Sequence, residues 1–318
     1  MSQGKDIKII SGNSNIPFAE SVCRNIGQRL GQTDVSTFSD GEIAVSLHET
    51  VRGSDLFIIQ STCNPINDHL MEMLIMVDAC KRASASRVTC VMPYFGYARQ
   101  DRKVKSRDPI SAKLVANLIT AAGANRILTM DLHAAQIQGF FDIPVDNLVG
   151  TPLFVDYYIK KFKGADDVVI VSPDIGSVSR ARAFAMKMGL GLAIIDKRRE
   201  KANQAEVVNI IGNVEGKRVV LFDDMVDTAG SLCEAAIALT DKAGAKEIYA
   251  CATHGVLSGK AIERIEQSPV RELVFADTVP YREEKLSTKI KYLTAAPLFA
   301  EAIKRIFEEV SISTLFRD

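Results

Sequence analysis

Two common signatures of nucleotide-binding α/β proteins are missing from this 318-residue chain. No GxxxxGK[ST] phosphate loop occurs, because Gly212 to Lys217 and Gly255 to Lys260 are each one residue short of that spacing. The dinucleotide fingerprint G-x-G-x-x-G is absent too, so any nucleotide bound here is held by a different architecture. Net charge is also missing: 39 basic side chains balance 39 acidic ones, so no global field draws the chain to nucleic acid or to an anionic membrane. Anion binding must therefore be local. The six cysteines, Cys23, Cys63, Cys80, Cys90, Cys233 and Cys251, include no CxxC pair, which argues against a zinc site or a disulfide framework. Scattered through apolar segments, they suit buried thiols in a reducing compartment. No apolar run approaches the length of a membrane span, and the first lysines are not followed by a leader-like segment, so a cytoplasmic protein is expected.

What is present is 47% hydrophobic residues over a length that most naturally forms two α/β domains. The most informative stretch runs from Val219 to Ser231, VVLFDDMVDTAGS. Val219 to Phe222 suit a buried parallel strand, and Leu232, Ala235, Ala236, Leu239 and Ala243 recur at helical spacing until Gly244. The loop between them sits at a helix N-terminus. Thr228, Ala229, Gly230 and Ser231 are small, so their backbone N–H groups can close around a phosphate with help from the helix dipole. Asp223 and Asp224 would repel that phosphate, so they are read as facing sugar hydroxyls or a screening magnesium ion. The combination describes a phosphorylated ribose; the plainer reading is a strand-ending acidic turn with an ordinary helix cap.

The stretch Ala122 to His133, AGANRILTMDLH, aligns without gaps on Ala243 to His254, AGAKEIYACATH. Upstream of each lies an apolar strand opened by Arg-Val, at Arg87-Val88 and Arg218-Val219, so a strand-loop-helix-strand unit occurs twice. In the first copy the phosphate loop is replaced by Pro93 to Pro109, PYFGYARQDRKVKSRDP, whose Arg99, Arg102, Lys103, Lys105 and Arg107 suit a polyphosphate or form a solvated charge run. The chain opens with a strand at Ile7 to Ile10 and a helix from about Pro17 to Leu30. Val35 to Phe38 and Ile43 to Leu47 then read as a projecting hairpin turning at Ser39-Asp40-Gly41. Phe38 is either hairpin core or a base-stacking surface beside Asp40 and Glu42.

His133, two residues beyond Asp131, is a metal ligand, a phosphate donor or a structural residue. Asp174 lies in Ser172 to Arg180, SPDIGSVSR, where Gly176 and Ser177 offer backbone N–H groups to a pyrophosphate. Asp196 to Gln204, DKRREKANQ, follows the strand Leu192 to Ile195 and is expected to be a mobile basic loop that closes over the reaction. His254 is assigned no site role.

Together FSDGE at Phe38 to Glu42, YARQDRK at Tyr97 to Lys103, DLHAAQIQGFF at Asp131 to Phe141, SPDIG at Ser172 to Gly176, DKRR at Asp196 to Arg199 and DDMVDTAGS at Asp223 to Ser231 closely resemble the ribose-phosphate pyrophosphokinase family, of the phosphate-activated class. The resemblance covers essentially the whole chain. It implies transfer of the β,γ-diphosphoryl group of Mg-ATP to the C1 hydroxyl of ribose 5-phosphate, giving phosphoribosyl pyrophosphate and AMP. By the same resemblance Phe38, Asp40, Gly41, Glu42, Arg99, Gln100 and His133 bind ATP, and His133 and Asp174 hold Mg2+. Asp223, Asp224, Asp227, Thr228, Ala229, Gly230, Ser231 and Arg199 take the ribose 5-phosphate, while Lys197 and Arg199 are catalytic. The tail residues Ser311, Ser313 and Phe316 join Arg52, Ser106 and Arg107 in an inhibitory ADP site between subunits. Inorganic phosphate is the implied activator and a homo-hexamer assembled from dimers the implied state. Val104 and Ala229 depart from the family, which can carry an acid near ATP at the first position and frequently a glycine at the second; alanine fits there if it avoids positive φ.

The fold expected is α/β, with two tandem phosphoribosyltransferase-like domains, each a mainly parallel sheet flanked by helices. ATP is expected on residues 1–149 and ribose 5-phosphate on 150–305, with the tail 306–318 packing near the first domain. Two other readings share parts of the pattern: a phosphoribosyltransferase, and a non-catalytic regulatory homologue. The hairpin, the basic first-domain loop and the duplication favour ATP over the former, and the uninterrupted segment 196–204 argues against the latter.

Overall fold

The computed structural model describes residues 6–198, 207–281 and 287–315. The chain separates into two compact units, one formed by Met1–Val149, Thr278–Pro280 and Thr294–Asp318, the other by Gly150–Asp277 and Tyr281–Leu293. In the first unit the order is β1 (Ile7–Ser11), α1 (Ile16–Ile26), β2 (Thr33–Thr37), β3 (Ile43–Leu47), β4 (Asp55–Ile59), α2 (Ile66–Arg82), β5 (Arg87–Met92), α3 (Ser111–Ala122), β6 (Arg126–Met130) and β7 (Val145–Leu148). The sheet runs β1-β4-β5-β6-β7 with parallel pairing throughout. β4 is buried at every position, as a strand covered on both faces must be. α1 ends at Ile26 rather than at Leu30, because Gly27 turns left-handed at φ 78° and its N–H caps the Cys23 and Arg24 carbonyls. β2 and β3 form the separate antiparallel hairpin read from the sequence.

The second unit continues with α4 (Thr151–Lys161), β8 (Val168–Ser172), α5 (Val178–Met188), β9 (Gly191–Arg198), β10 (Val207–Ile211), β11 (Arg218–Val226), α6 (Gly230–Asp241), β12 (Glu247–Gly255), α7 (Ala261–Gln267), β13 (Val270–Ala276) and β14 (Ile290–Leu293). Its sheet runs β10-β9-β8-β11-β12-β13-β14, with β10 antiparallel on the edge and the other pairs parallel. Helix α8 (Ala296–Phe307) belongs to the first unit. A boundary at 305 would have left most of it in the second domain. Its apolar face decides the matter: Phe299 meets Phe18 of α1 edge-on at 5.4 Å, and Arg87 donates to the Ile306 carbonyl at 2.9 Å.

The duplication is structural. Gly123 and Gly244 both take positive φ, 111° and 67°, and β6 and β12 begin at matching positions with Ile127 and Ile248 buried. The Arg-Val openings, however, do not coincide. Ile127 faces Cys90 across the first sheet and Ile248 faces Val219 across the second, so Arg218 corresponds to Thr89, two positions beyond Arg87. A shift of two preserves which side chains face which side of the sheet, and the apolar pattern therefore conceals it. The copies also part at their closing histidines. Asp131 turns at φ 41° and leaves His133 exposed, whereas β12 runs on and buries His254.

A buried carboxylate staples α4, β13 and β14 of the second unit. Glu272 of β13 accepts from Tyr157 (2.8 Å) and Lys161 (3.0 Å) of α4 and from Lys291 (2.8 Å) of β14. Burial pushes its pKa up, but the hydrogen bonds from Lys291, Lys161 and Tyr157 outweigh burial and bring it below the ordinary value. Its stabilising contribution is thus present above the unfolded pKa of about 4.3 and is lost as the pH falls through the lower folded value. Glu272→Gln should cost about 1.5–3 kcal/mol at pH 7 in thermal unfolding and flatten the acid limb of stability against pH.

Candidate active site

In the second unit the polar groups gather where β8 and β11 end. The acids do not follow β11 but lie within it, since pairing with β12 continues through Asp223, Met225 and Val226. Each carboxylate meets the start of α5. The Ser177 hydroxyl donates to Asp223 at 2.8 Å, the Asp224 N–H donates to the same oxygen at 2.9 Å, and Arg180 pairs with Asp224 at 3.1 Å. Asp224 is buried. Burial, and then the charge of Asp224, push the Asp223 carboxyl up to about 7. A carboxyl pair held in this way favours a ligand that brings hydroxyl donors or positive charge.

Beyond the pair, Ala229 takes φ 58° and ψ 7°, left-handed, and α6 starts at Gly230 with its first N–H groups directed out of the helix. The condition under which alanine would replace glycine without strain is therefore not met, and the conformation costs about 1–2 kcal/mol. Neighbouring bonds hold the loop in place: Arg264 of α7 donates to the Thr228 carbonyl at 2.8 Å, and the Ser258 N–H to the Asp227 carbonyl at 2.9 Å. Thr228 is exposed beside them.

Asp174 is exposed at the end of β8, with one carboxylate oxygen accepting the Ser177 N–H at 2.8 Å. That N–H is therefore occupied and does not serve a pyrophosphate, contrary to expectation. Strand β9 extends through Arg198, so Asp196 is a buried strand residue and Lys197 lies opposite Val208 of β10, where a basic loop was expected from Asp196 onward. Arg199 and the rest of that segment to Gln204 lie outside the described residues.

The first unit carries the other set. In the loop 93–109, Tyr94, Phe95 and Ala98 are buried, and a Cβ on Gly96 would collide with the Thr62 carbonyl oxygen, so the aromatic half is anchored in the core. The basic half is exposed, including Arg99, Gln100, Arg102, Lys103, Lys105, Ser106 and Arg107. His133 stands exposed just beyond β6. At the hairpin tip Phe38 is 59% exposed, which excludes the hairpin-core role and leaves its ring free to stack. The tip is ordered by Asp40, which accepts the Glu42 N–H at 3.1 Å, and by Gly41 at φ 98°, whose N–H reaches the Phe38 carbonyl at 2.9 Å.

The N-terminal domain of ribose phosphate pyrophosphokinase matches residues 7–123, and the phosphoribosyl synthetase-associated domain matches residues 200–317. A ribose-phosphate pyrophosphokinase from Caldanaerobacter subterraneus subsp. tengcongensis is 62% identical over 310 residues, 98% of each chain. Another, from Clostridium perfringens, is 57% identical over 318 residues, 100% of this chain and 99% of that one. The chain belongs to the ribose-phosphate pyrophosphokinase family. The fold agrees: the crystal structure of phosphoribosylpyrophosphate synthetase from Mycobacterium smegmatis superposes with a TM-score of 0.91 at 40% identity, covering 96% of this chain and 100% of that one.

Within this family member, the six cysteines are buried and none is in a disulfide, and burial raises the thiols of Cys23 and Cys80 to about 11 and about 12. Of the tail residues, Ser311 and Ser313 are linked by their hydroxyls at 2.9 Å, and Arg305 donates to the Ser311 carbonyl at 2.9 Å. A cavity of about 380 Å³ beside Ser311 is lined by Arg87, Arg126, Asp146 and Arg305, but not by Arg52, Ser106 or Arg107. Arg52 instead donates to Ser84 at 3.3 Å, and Phe316 lies outside the described residues. Sequence reasoning missed the supporting roles of Ser177, Arg180 and Arg264, because each acts on a residue more than 30 positions away in the chain.

The raised Asp223 carboxyl has a signed consequence. Between the unfolded value of about 3.9 and the folded value of about 7, the folded state keeps a proton that the unfolded chain has lost. Stability of the unliganded protein should therefore fall as the pH rises through that window, and Asp223→Asn should flatten the slope in urea titrations between pH 5 and pH 8.

Proposed function

We propose that the chain is a ribose-phosphate diphosphokinase, which transfers the β,γ-diphosphoryl group of Mg-ATP to the C1 hydroxyl of D-ribose 5-phosphate. The observation that carries this reading is the Asp223–Asp224 pair near the end of β11, five residues before the left-handed Ala229 at the N-terminus of α6, in a chain 62% identical to a named ribose-phosphate pyrophosphokinase. The acids would take the ribose hydroxyls, and the N–H groups of Asp227 to Ser231 the 5-phosphate. Phe38, Asp40, Gly41 and Glu42 would hold adenine, with Arg99, Gln100 and His133 along the polyphosphate. The C1 oxygen attacks the β-phosphorus, the bond between the α and β phosphoryl groups breaks, AMP leaves, and the hydroxyl proton is released. In-line transfer of this kind needs positioning and charge neutralisation more than a protein nucleophile. Lys197 and Arg199 would supply neutralisation at the transferring group.

His133 and Asp174 would be the protein ligands of Mg2+. Among the described residues no group of three or more His, Cys, Asp or Glu side chains is placed to hold a metal. Asp174 suits an ion carried by the nucleotide, because it is exposed with one oxygen fixed by Ser177 and magnesium prefers phosphate oxygens and waters around one or two carboxylates. When bound, the ion draws negative charge from the phosphoryl oxygens. Inorganic phosphate would activate, and ADP would inhibit at a site using Arg52, Ser106, Arg107, Ser311, Ser313 and Phe316 in a homo-hexamer. The buried cysteines, none in a disulfide, suit the cytoplasm. No described helix is long and apolar enough to cross a membrane.

The test is incubation with ATP, ribose 5-phosphate, magnesium and inorganic phosphate, followed by chromatography. Equimolar AMP and phosphoribosyl pyrophosphate are expected; ADP with a singly phosphorylated sugar would mean an ordinary kinase, and absence of turnover a regulatory homologue. Lys197→Ala should lower kcat by on the order of 10³ while ribose 5-phosphate binding changes less than about threefold, since its role is in the transition state. Ser311→Leu should relieve inhibition by ADP without changing the KM for ATP; inhibition that persists and is purely competitive with ATP would remove the separate site.

A further inference from the structure

The hairpin β2–β3 is a two-stranded element, and such a pair is marginal in water without support from the body that carries it. Its base is secured by Glu49, which accepts from Lys8 (2.7 Å), from the Gln32 N–H (2.9 Å) and from Arg29 (3.2 Å). Val35 and Val45 pack on the core of the first unit. Nearer the tip, a hydrogen bond joins the hairpin backbone to the body: Asn13 Nδ2 donates to the Val35 carbonyl at 3.0 Å.

What fixes Asn13 is a buried carboxylate that the catalytic reading does not use. Glu72 of α2 is 6% exposed. Its carboxylate accepts from Asn13 Nδ2 (2.8 Å), from the Asn13 N–H (3.1 Å) and from Gln60 Nε2 (2.5 Å). Gln60 is fully buried, donates also to the His69 carbonyl at 3.2 Å, and accepts the Ser14 N–H at 3.1 Å, so its amide orientation is determined. The segment 12–14 lies so close to that amide that a Cβ on Gly12 would stand 2.5 Å from Gln60 Oε1. Both hydrogens of the Asn13 side-chain amide are thereby committed, one to Glu72 and one to the hairpin. The bonds to an ionised acceptor are the stronger kind, so Glu72 holds the asparagine in the orientation that reaches Val35.

We infer that Asn13, oriented by Glu72 and Gln60, is a positioning residue for the nucleotide: it sets the pose of the hairpin so that Phe38, Asp40 and Glu42 are presented to adenine. Neither Asn13 nor Glu72 touches the substrate; they act through Val35, three residues before Phe38. The inference rests on the assignment of the hairpin to adenine, and the experiment separates the two.

Full-length Asn13→Ala, Asn13→Asp and Phe38→Ala are compared with the parent by hydrogen exchange and by steady-state kinetics. Asn13 is exposed, so its variants are expected to fold, and exchange in β4, β5 and β6 reports whether they do. In Asn13→Ala the amides of 33–47 should exchange about tenfold faster while β4–β6 are unchanged, and the KM for ATP should rise about three- to tenfold with kcat and the KM for ribose 5-phosphate unchanged. Asn13→Asp, which cannot donate and repels Glu72, should exceed it in both readouts. Unchanged hairpin exchange, or exchange accelerated equally across the first unit, would overturn the inference. So would faster hairpin exchange with an unaltered KM for ATP when Phe38→Ala raises that KM, and in that case the adenine assignment stands. If Phe38→Ala leaves the KM for ATP unchanged, the adenine assignment fails and the positioning role fails with it.

Discussion

Parallel strands cannot be joined by a tight turn, and this constraint organises both halves of the protein. Each chain return must cross a face of the sheet, so the strands are covered on both sides and read as apolar runs; β4 and β8 are buried at every position. The same returns put the loops that leave each strand at its carboxyl end. The first unit's basic loop and His133 follow β5 and β6, and the second unit's Asp174 and the loop 227–229 follow β8 and β11. The candidate site groups thus gather at the rims that the crossovers create.

At the rim of the second unit, charge is balanced locally. Arg180 pairs with Asp224, and Asp223 is met by a hydroxyl and an amide, so one acid is neutralised and the other is held with a raised pKa. The left-handed alanine at 229 adds backbone strain next to this pair. Both features oppose the stability of the unliganded unit, and both would be relieved or used by a ligand offering hydroxyls, a phosphate and positive charge. Backbone strain and a raised carboxyl pKa coincide at this one rim, and such features cluster at functional sites.

The hairpin is the part the sheet does not explain. It shares no strand with the five-stranded sheet, and its tip carries an exposed phenylalanine. Its order comes from polar anchors, Glu49 at the base and Asn13 higher up, with Glu72 behind Asn13. A buried carboxylate satisfied by three N–H donors is a specific geometric device, since a misplaced donor would leave a charged oxygen without a partner in the interior.

The α/β class, the two-fold repetition, the hairpin and the acid-pair loop were legible because each is local: a run of apolar residues, a glycine that ends a helix, small residues before a helix start. Val219 to Ser231 could be read in this way with no knowledge of the rest of the chain. Three things required the tertiary structure. Helix α8 returns to the first unit because Phe299 finds Phe18, a pairing between residues 281 positions apart. The two-residue slip between the repeats is invisible in an apolar pattern of period two. The partners of the acids, Ser177, Arg180 and Arg264, carry no signature, because an ordinary serine or arginine acquires its role only from what folding sets against it. Sequence by itself determined where most strands and helix starts lie, since backbone preference and burial periodicity act over a few residues; only the tertiary structure decided how far β9 and β11 extend, charge compensation, strain and register, since those depend on pairing and distances between residues far apart in the chain.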